Sequence, residues 1–225
     1  MEVNATAKIT NQDSVKIEIP NQPVNRMVTV SYHTLNGNSP ADNGNYLGLW
    51  QSDNGVIPRS KAIWSEKITK GETDSKIVCR MPINDNGFVV GYCQTGDPKT
   101  NEKAAYNVSA CASIGPDGNT QHSESSLLNI TGDTTSAVLY YTLLKNTSYK
   151  EHWFGIWEEN KTVGEDAPFY TSMTASADPE KSGMIPLDEV SFYRGTNYTL
   201  AYFMAGYDEK SPDTSRMLAF IEFTF

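Results

Sequence analysis

NYLGLW, residues 45–50, and HWFGIW, residues 152–157, are two versions of one six-residue phrase. Read with the two-residue period of a strand, Leu47 and Leu49 point one way, while Tyr46, Gly48 and Trp50 point the other. In the second phrase Phe154 and Ile156 oppose Trp153, Gly155 and Trp157. A strand of a two-layer sheet protein ordinarily keeps one wet face, yet these are apolar on both. The aliphatic side is read as the inner face. The ring-bearing side then needs cover from a loop, the other domain, another chain or a ligand. The glycine between the rings leaves room for something to lie close against the backbone.

The repetition extends outward from this phrase. VTVSYHTL (28–35) answers AVLYYTL (137–143), with Thr34-Leu35 and Thr142-Leu143 offset by 108 positions. The quoted phrases are offset by 107. GFVVGYCQTG (87–96) answers NYTLAYFMAG (197–206), with Tyr92 over Tyr202 and Gly96 over Gly206 at an offset of 110. YNVSACASI (106–114) and RMLAFIEF (216–223) complete the series. Four blocks in one order at nearly one spacing indicate two copies of a domain of roughly 100–110 residues, an ordinary domain size. The expected division is 1–116 and 117–225. The polar, Gly-, Ser- and Asn-bearing stretch GPDGNTQHSESS (115–126) reads as the linker.

Alternation dominates the rest. Val15, Ile17 and Ile19 share a face opposite Lys16 and Glu18. Near the end of the sequence, Ala219, Ile221, Phe223 and Phe225 alternate with Phe220, Glu222 and Thr224. Turn clusters such as NGNSPADNGN, SDNG and NDNG separate these runs. No helical period stands out, and KAIWSEKITKGE reads as a strand and a turn. Roughly seven short strands per copy predict an all-β protein. Its architecture is two tandem immunoglobulin-like antiparallel β-sandwich domains related by internal duplication, without the usual immunoglobulin disulfide.

The pattern aromatic–hydrophobic–Gly–hydrophobic–aromatic is followed by AIW (62–64) or PFYT (168–171), then by Phe88 with Tyr92 or Tyr198 with Tyr202. This order resembles the SKICH-type β-sandwich and the N-terminal sandwich of purple acid phosphatases. That family usually has Asp before Trp at the first position. Here Asn45-Tyr46 and His152-Trp153 stand there. The resemblance implies an accessory sandwich that docks to proteins or membranes and carries no chemistry.

The 225 residues are 38% hydrophobic, 11% aromatic and 20% charged, with net charge −9, and the pI is about 4.8. An acidic chain without a basic run disfavours nucleic acid and anionic membrane surfaces as partners. No stretch is long and apolar enough to span a bilayer. MEVNATAKIT shows no signal-peptide pattern, so the compartment stays open between cytoplasm and non-classical export. Cys79, Cys93 and Cys111 form no C-x-x-C and no disulfide framework. Cys93 and Cys111 fall on strands expected to be neighbours, where either a bridge or buried thiols would fit. His33, His122 and His152 stand in no metal-ligand spacing, and no nucleophile or phosphate-binding motif is present. The acidic loops ADNGN (41–45) and SDNG (52–55) read as turns, and the second copy lacks the same oxygen set. No metal, no cofactor and no catalysis are expected.

The candidate binding residues are Asn45, Tyr46, Trp50, Gln51, Trp153 and Trp157. Flat rings edged by amides suit the apolar C–H faces and hydroxyls of a sugar, and they suit a protein surface equally. The leading expectation is a non-catalytic interaction protein with a protein partner or self-association. The alternative is a lectin-like carbohydrate binder or a cell-surface-acting virulence or insecticidal factor.

Overall fold

The structure is a computed structural model. It describes residues 6–58, 60–94, 96–101, 108–144, 152–173, 182–204, 207, 210 and 212–225, without the side chains of Gln121, His122 and Met173. Residues 106–107 and Gly206, used in the sequence comparison, lie outside the described residues.

Contacts group the chain into two compact units. The first runs Val15–Ser125 and is joined by Leu144; the second combines the chain up to Ser14 with Ser126–Leu143 and the chain from Tyr149 to Phe225.

In the first unit, β2 (Lys16–Glu18), β3 (Met27–His33) and β6 (Asp74–Arg80) make a three-stranded sheet in the order β2-β3-β6. A five-stranded sheet, β5-β4-β7-β8-β9, uses β5 (Trp64–Lys67), β4 (Tyr46–Gln51), β7 (Phe88–Cys93), β8 (Val108–Ile114) and β9 (Thr120–Ser125). Every pairing in it is antiparallel. The layers meet through their inner faces: Tyr32 of β3 and Tyr92 of β7 have ring centroids 5.7 Å apart. The alternation at Val15, Ile17 and Ile19 puts all three in this core.

The second unit repeats the plan. Its three-stranded sheet, β10-β11-β14, contains β10 (Leu127–Asp133), β11 (Ser136–Thr142) and β14 (Ser182–Pro186). Its five-stranded sheet, β13-β12-β15-β16-β1, contains β13 (Tyr170–Met173), β12 (Trp153–Glu158), β15 (Asn197–Phe203), β16 (Met217–Thr224) and β1 (Lys8–Ser14). Tyr141 and Phe154 bring the two layers together, with centroids 5.3 Å apart. The registers repeat as well: Leu47 stands opposite Tyr92, and Phe154 opposite Tyr202. One turn of 3₁₀ helix, Thr214–Arg216, precedes β16. Among the described residues no helix is long and apolar enough to cross a membrane. The protein is an all-β chain of two immunoglobulin-like sandwiches.

The contacts divide this chain elsewhere than at 116/117. The stretch read as a linker forms a hairpin, with Gly115 and Asn119 bonded at its neck, and β9 follows as an edge strand on β8. β9 shows no apolar alternation because an edge strand is held by its backbone ladder and needs little side-chain burial. The N-terminal strand β1 lies on β16, in the unit that otherwise begins at Ser126.

Candidate functional site

The twice-written phrase occupies β4 and β12, each second in its five-stranded sheet. The face bearing the rings is covered from within. A Cβ built on Gly48 would meet the Trp50 ring at 2.5 Å, and one on Gly91 would meet it at 3.0 Å. The Trp50 ring therefore covers two facing glycines, Gly48 of β4 and Gly91 of β7. Ile57 and Ala62 of the loop after β4 pack with it, together with Val89, Cys93, Val108, Cys111 and Leu144. The indole Nε1 donates to the Ser60 carbonyl at 2.9 Å. In the second sandwich a Cβ on Gly155 would meet Trp157 at 2.4 Å and Trp153 at 2.9 Å. The Trp157 indole donates to the Asp166 carbonyl, also at 2.9 Å. Trp153 stacks on Phe203 at 4.3 Å. What lies close against each glycine is thus the chain's own tryptophan, which pins the loop that follows.

The residue before each strand repeats a second arrangement. The Tyr92 hydroxyl donates to Asn45 Oδ1 at 2.8 Å, and Asn38 Nδ2 donates to the same oxygen at 2.9 Å. In the other copy the Tyr202 hydroxyl meets His152 Nδ1. Asn45 and His152 are both buried, and each gives the inward tyrosine a polar partner. Burial pushes the Tyr92 hydroxyl well above the ordinary tyrosine range.

The six candidate residues consequently do not share a surface. Asn45, Trp50, Trp153 and Trp157 are at most 1% exposed. Tyr46 is half-buried against the Trp50 cluster, and Gln51 alone is exposed. Stacking of a sugar needs an open ring face, and the three tryptophans present none.

The other chemistry-bearing residues also have local explanations. Cys79, Cys93 and Cys111 are buried and joined in no disulfide. Cys93 stands opposite Val108 and Cys111 opposite Gly91, so neighbouring strands do not bring the two thiols opposite each other. Burial, then the Glu66 carboxylate, pushes the Cys79 thiol up to about 12. Asp42 accepts from Ser39, and Asp53 accepts from the Gly87 amide, as turn carboxylates do. Among the described residues no group of three or more His, Cys, Asp or Glu side chains gathers as a metal site. His33 Nδ1 lies 2.7 Å from Asp74 on an outer sheet face.

The outer faces of the two three-stranded sheets differ sharply, which the sequence reading missed. On the first, Lys16, Glu18, Asp74, Lys76 and Arg80 are exposed beside the His33–Asp74 pair, together with Met27 and Val78. On the second, the register aligns Leu127 with Thr142 and Ser182, Asn129 with Tyr140 and Met184, and Thr131 with Val138 and Pro186. These nine positions hold no charged residue, and half-buried Asp133 follows on the same side at the end of β10. Leu127 is 60% exposed, Tyr140 42% and Met184 64%. Counting outward positions along the three strands would have revealed it, had the pairing been known.

No protein-family model matches the chain, and a search of curated proteins gives no match. Among solved structures, a two-domain fibronectin type-III segment of chicken tenascin aligns with 93% of this chain and 98% of its own, at 8% identity and a TM-score of 0.26. The human OSCAR ligand-binding domain aligns over 90% of this chain and 95% of its own, at 10% identity and a TM-score of 0.22. The purple acid phosphatase PPD1 from yellow lupin seeds aligns over 83% of this chain and 37% of its own, at 13% identity and a TM-score of 0.28. Likenesses of this size carry no argument about function. The class stands on the strand order and registers above.

Proposed function

We propose that this chain is a non-catalytic binding protein, and that its partner is a protein engaged by the outer face of the β10-β11-β14 sheet. The observation that carries the reading is the contrast between the duplicated faces. One carries Lys16, Glu18, Asp74, Lys76 and Arg80 around exposed Met27 and Val78, while its counterpart exposes Leu127, Tyr140, Met184 and Pro186 with Val138 half-buried among them and a charge, Asp133, only at the end of β10. Depletion of charge with enrichment of Tyr and Met is the compositional mark of an interface centre. A solvated sheet face ordinarily carries charge, as the first copy does. The resemblance of the repeated motif to SKICH-type sandwiches, which implied docking without chemistry, points the same way. The lectin-like and cell-surface readings gain nothing from Trp50, Trp153 and Trp157, whose rings are buried.

The test uses Tyr140→Glu with Met184→Glu, which places two carboxylates in the centre of the face. Cross-linking and co-purification from the native source should recover a partner with the parent chain and lose it with the variant. Circular dichroism should stay unchanged. Equal recovery by both chains would remove this face from the reading.

A further inference from the structure

β1 and β9 are the same element in two settings. Each is separated by one residue, Val15 or Ser126, from the first strand of a three-stranded sheet, β2 or β10. Each pairs antiparallel with the second strand from one edge of a five-stranded sheet, β16 or β8, and itself forms that edge. β9 reaches its partner through the adjoining hairpin at Gly115–Asn119. β1 comes to β16 from far away in sequence: the Thr10 hydroxyl donates to the Glu222 carbonyl across 212 positions. The edge of β16 thus receives a strand that no local connection delivers.

Most side chains of β1 face solvent, and its ladder on β16 is supplemented by the Thr10–Glu222 bond and, just ahead of the strand, by the Ala7 amide donating to the Gly132 carbonyl. Lys8, Thr10, Asn11 and Gln12 are exposed, Ile9 and Asp13 are half-buried, and Ser14 alone is buried. Its affinity for the edge is that of main-chain pairing, which is identical whichever molecule supplies the strand. At its other end Val15 is fully buried in the first unit. One residue therefore separates a strand of one unit from a strand of the other, with no slack loop between them. Exchange of an identical element between copies is a low-cost route to a dimer.

We propose that the edge of β16 is a strand-acceptor site that takes β1 of a second copy of this chain, so that molecules exchange their leading strands. The site is distinct from the Tyr140–Met184 face and does not rest on that reading.

Asn11 and Glu222 stand opposite each other in the β1–β16 register. The test mixes two full-length single variants, Asn11→Cys and Glu222→Cys, at high concentration under mildly destabilising conditions, then restores native conditions and oxidises. The native thiols are buried and do not compete. The expected product is a disulfide heterodimer in clear excess over either homodimer, its share rising with protein concentration. Light scattering on the unsubstituted chain should show a dimer with the same concentration dependence. The doubly substituted chain, oxidised when dilute, should close on itself as a monomer. If it closes while the mixture yields no excess heterodimer, β1 never leaves its own chain and the proposal is overturned. If the double variant does not close, β1 does not occupy that edge, and the proposal falls with it.

Discussion

Gly48 and Gly155 are small because a tryptophan must lie on them. Alanine at either position would bring a methyl group to about 2.5 Å from a ring wedged beneath its own loop. Overpacking of this kind is expected to destabilise by about 1–3 kcal/mol. Urea midpoints of Gly48→Ala and Gly155→Ala should fall accordingly, and an unchanged midpoint would mean the rings do not rest there. At the same scale, the Cys79 thiol ionises near its ordinary value of 9.0 when unfolded and near 12 when folded. A group raised in the folded state contributes stability that is complete below the unfolded value. That contribution is then lost as pH climbs through the window from 9 to 12. Cys79→Ala should therefore lose less stability than the parent chain between those limits, measured by denaturant unfolding. The glycines and tryptophans were legible as a pair in the sequence. That the ring itself fills the space above the glycine was not, because alternation tells which side a residue faces and never what covers that side.

Among elements, the decisive difference is between central and edge strands. β4, β7, β12 and β15 have a neighbour on both sides and bury nearly every residue. β1, β5, β9 and β13 each end a sheet. Amide hydrogen exchange should rank these eight strands accordingly, with β4, β7, β12 and β15 slower than β1, β5, β9 and β13. Slow exchange in β1 comparable with that in β15 would contradict the assigned register. The central strands were readable from NYLGLW, GFVVGY and their counterparts because double-sided burial leaves an unbroken apolar run. KITNQDS and TQHSES carry no such run. Their pairing comes from main-chain groups, which every residue type supplies alike, so nothing in their side chains announces a strand.

At the scale of the molecule, duplication is accompanied by crossing of the leading strands. A segment cut as 1–116 lacks β9 and retains β1 without β16; a segment cut as 15–125 keeps all eight strands of the first sandwich. The 15–125 segment is expected to unfold cooperatively, at a higher temperature than 1–116. The reverse order would place β9 outside the first sandwich.

Two copies, all-β character and the antiparallel sandwich class follow from the amino-acid order alone. Side-chain period and spacing are local properties, and the repeated offsets of 107 to 110 write them out twice. Three matters were decided only by the tertiary structure: which edge each leading strand completes, what covers the tryptophans, and which sheet face is left nearly without charge. Each depends on partners far apart in sequence. Ladder hydrogen bonds carry no residue code, and a face becomes a surface only when neighbouring strands are set in register.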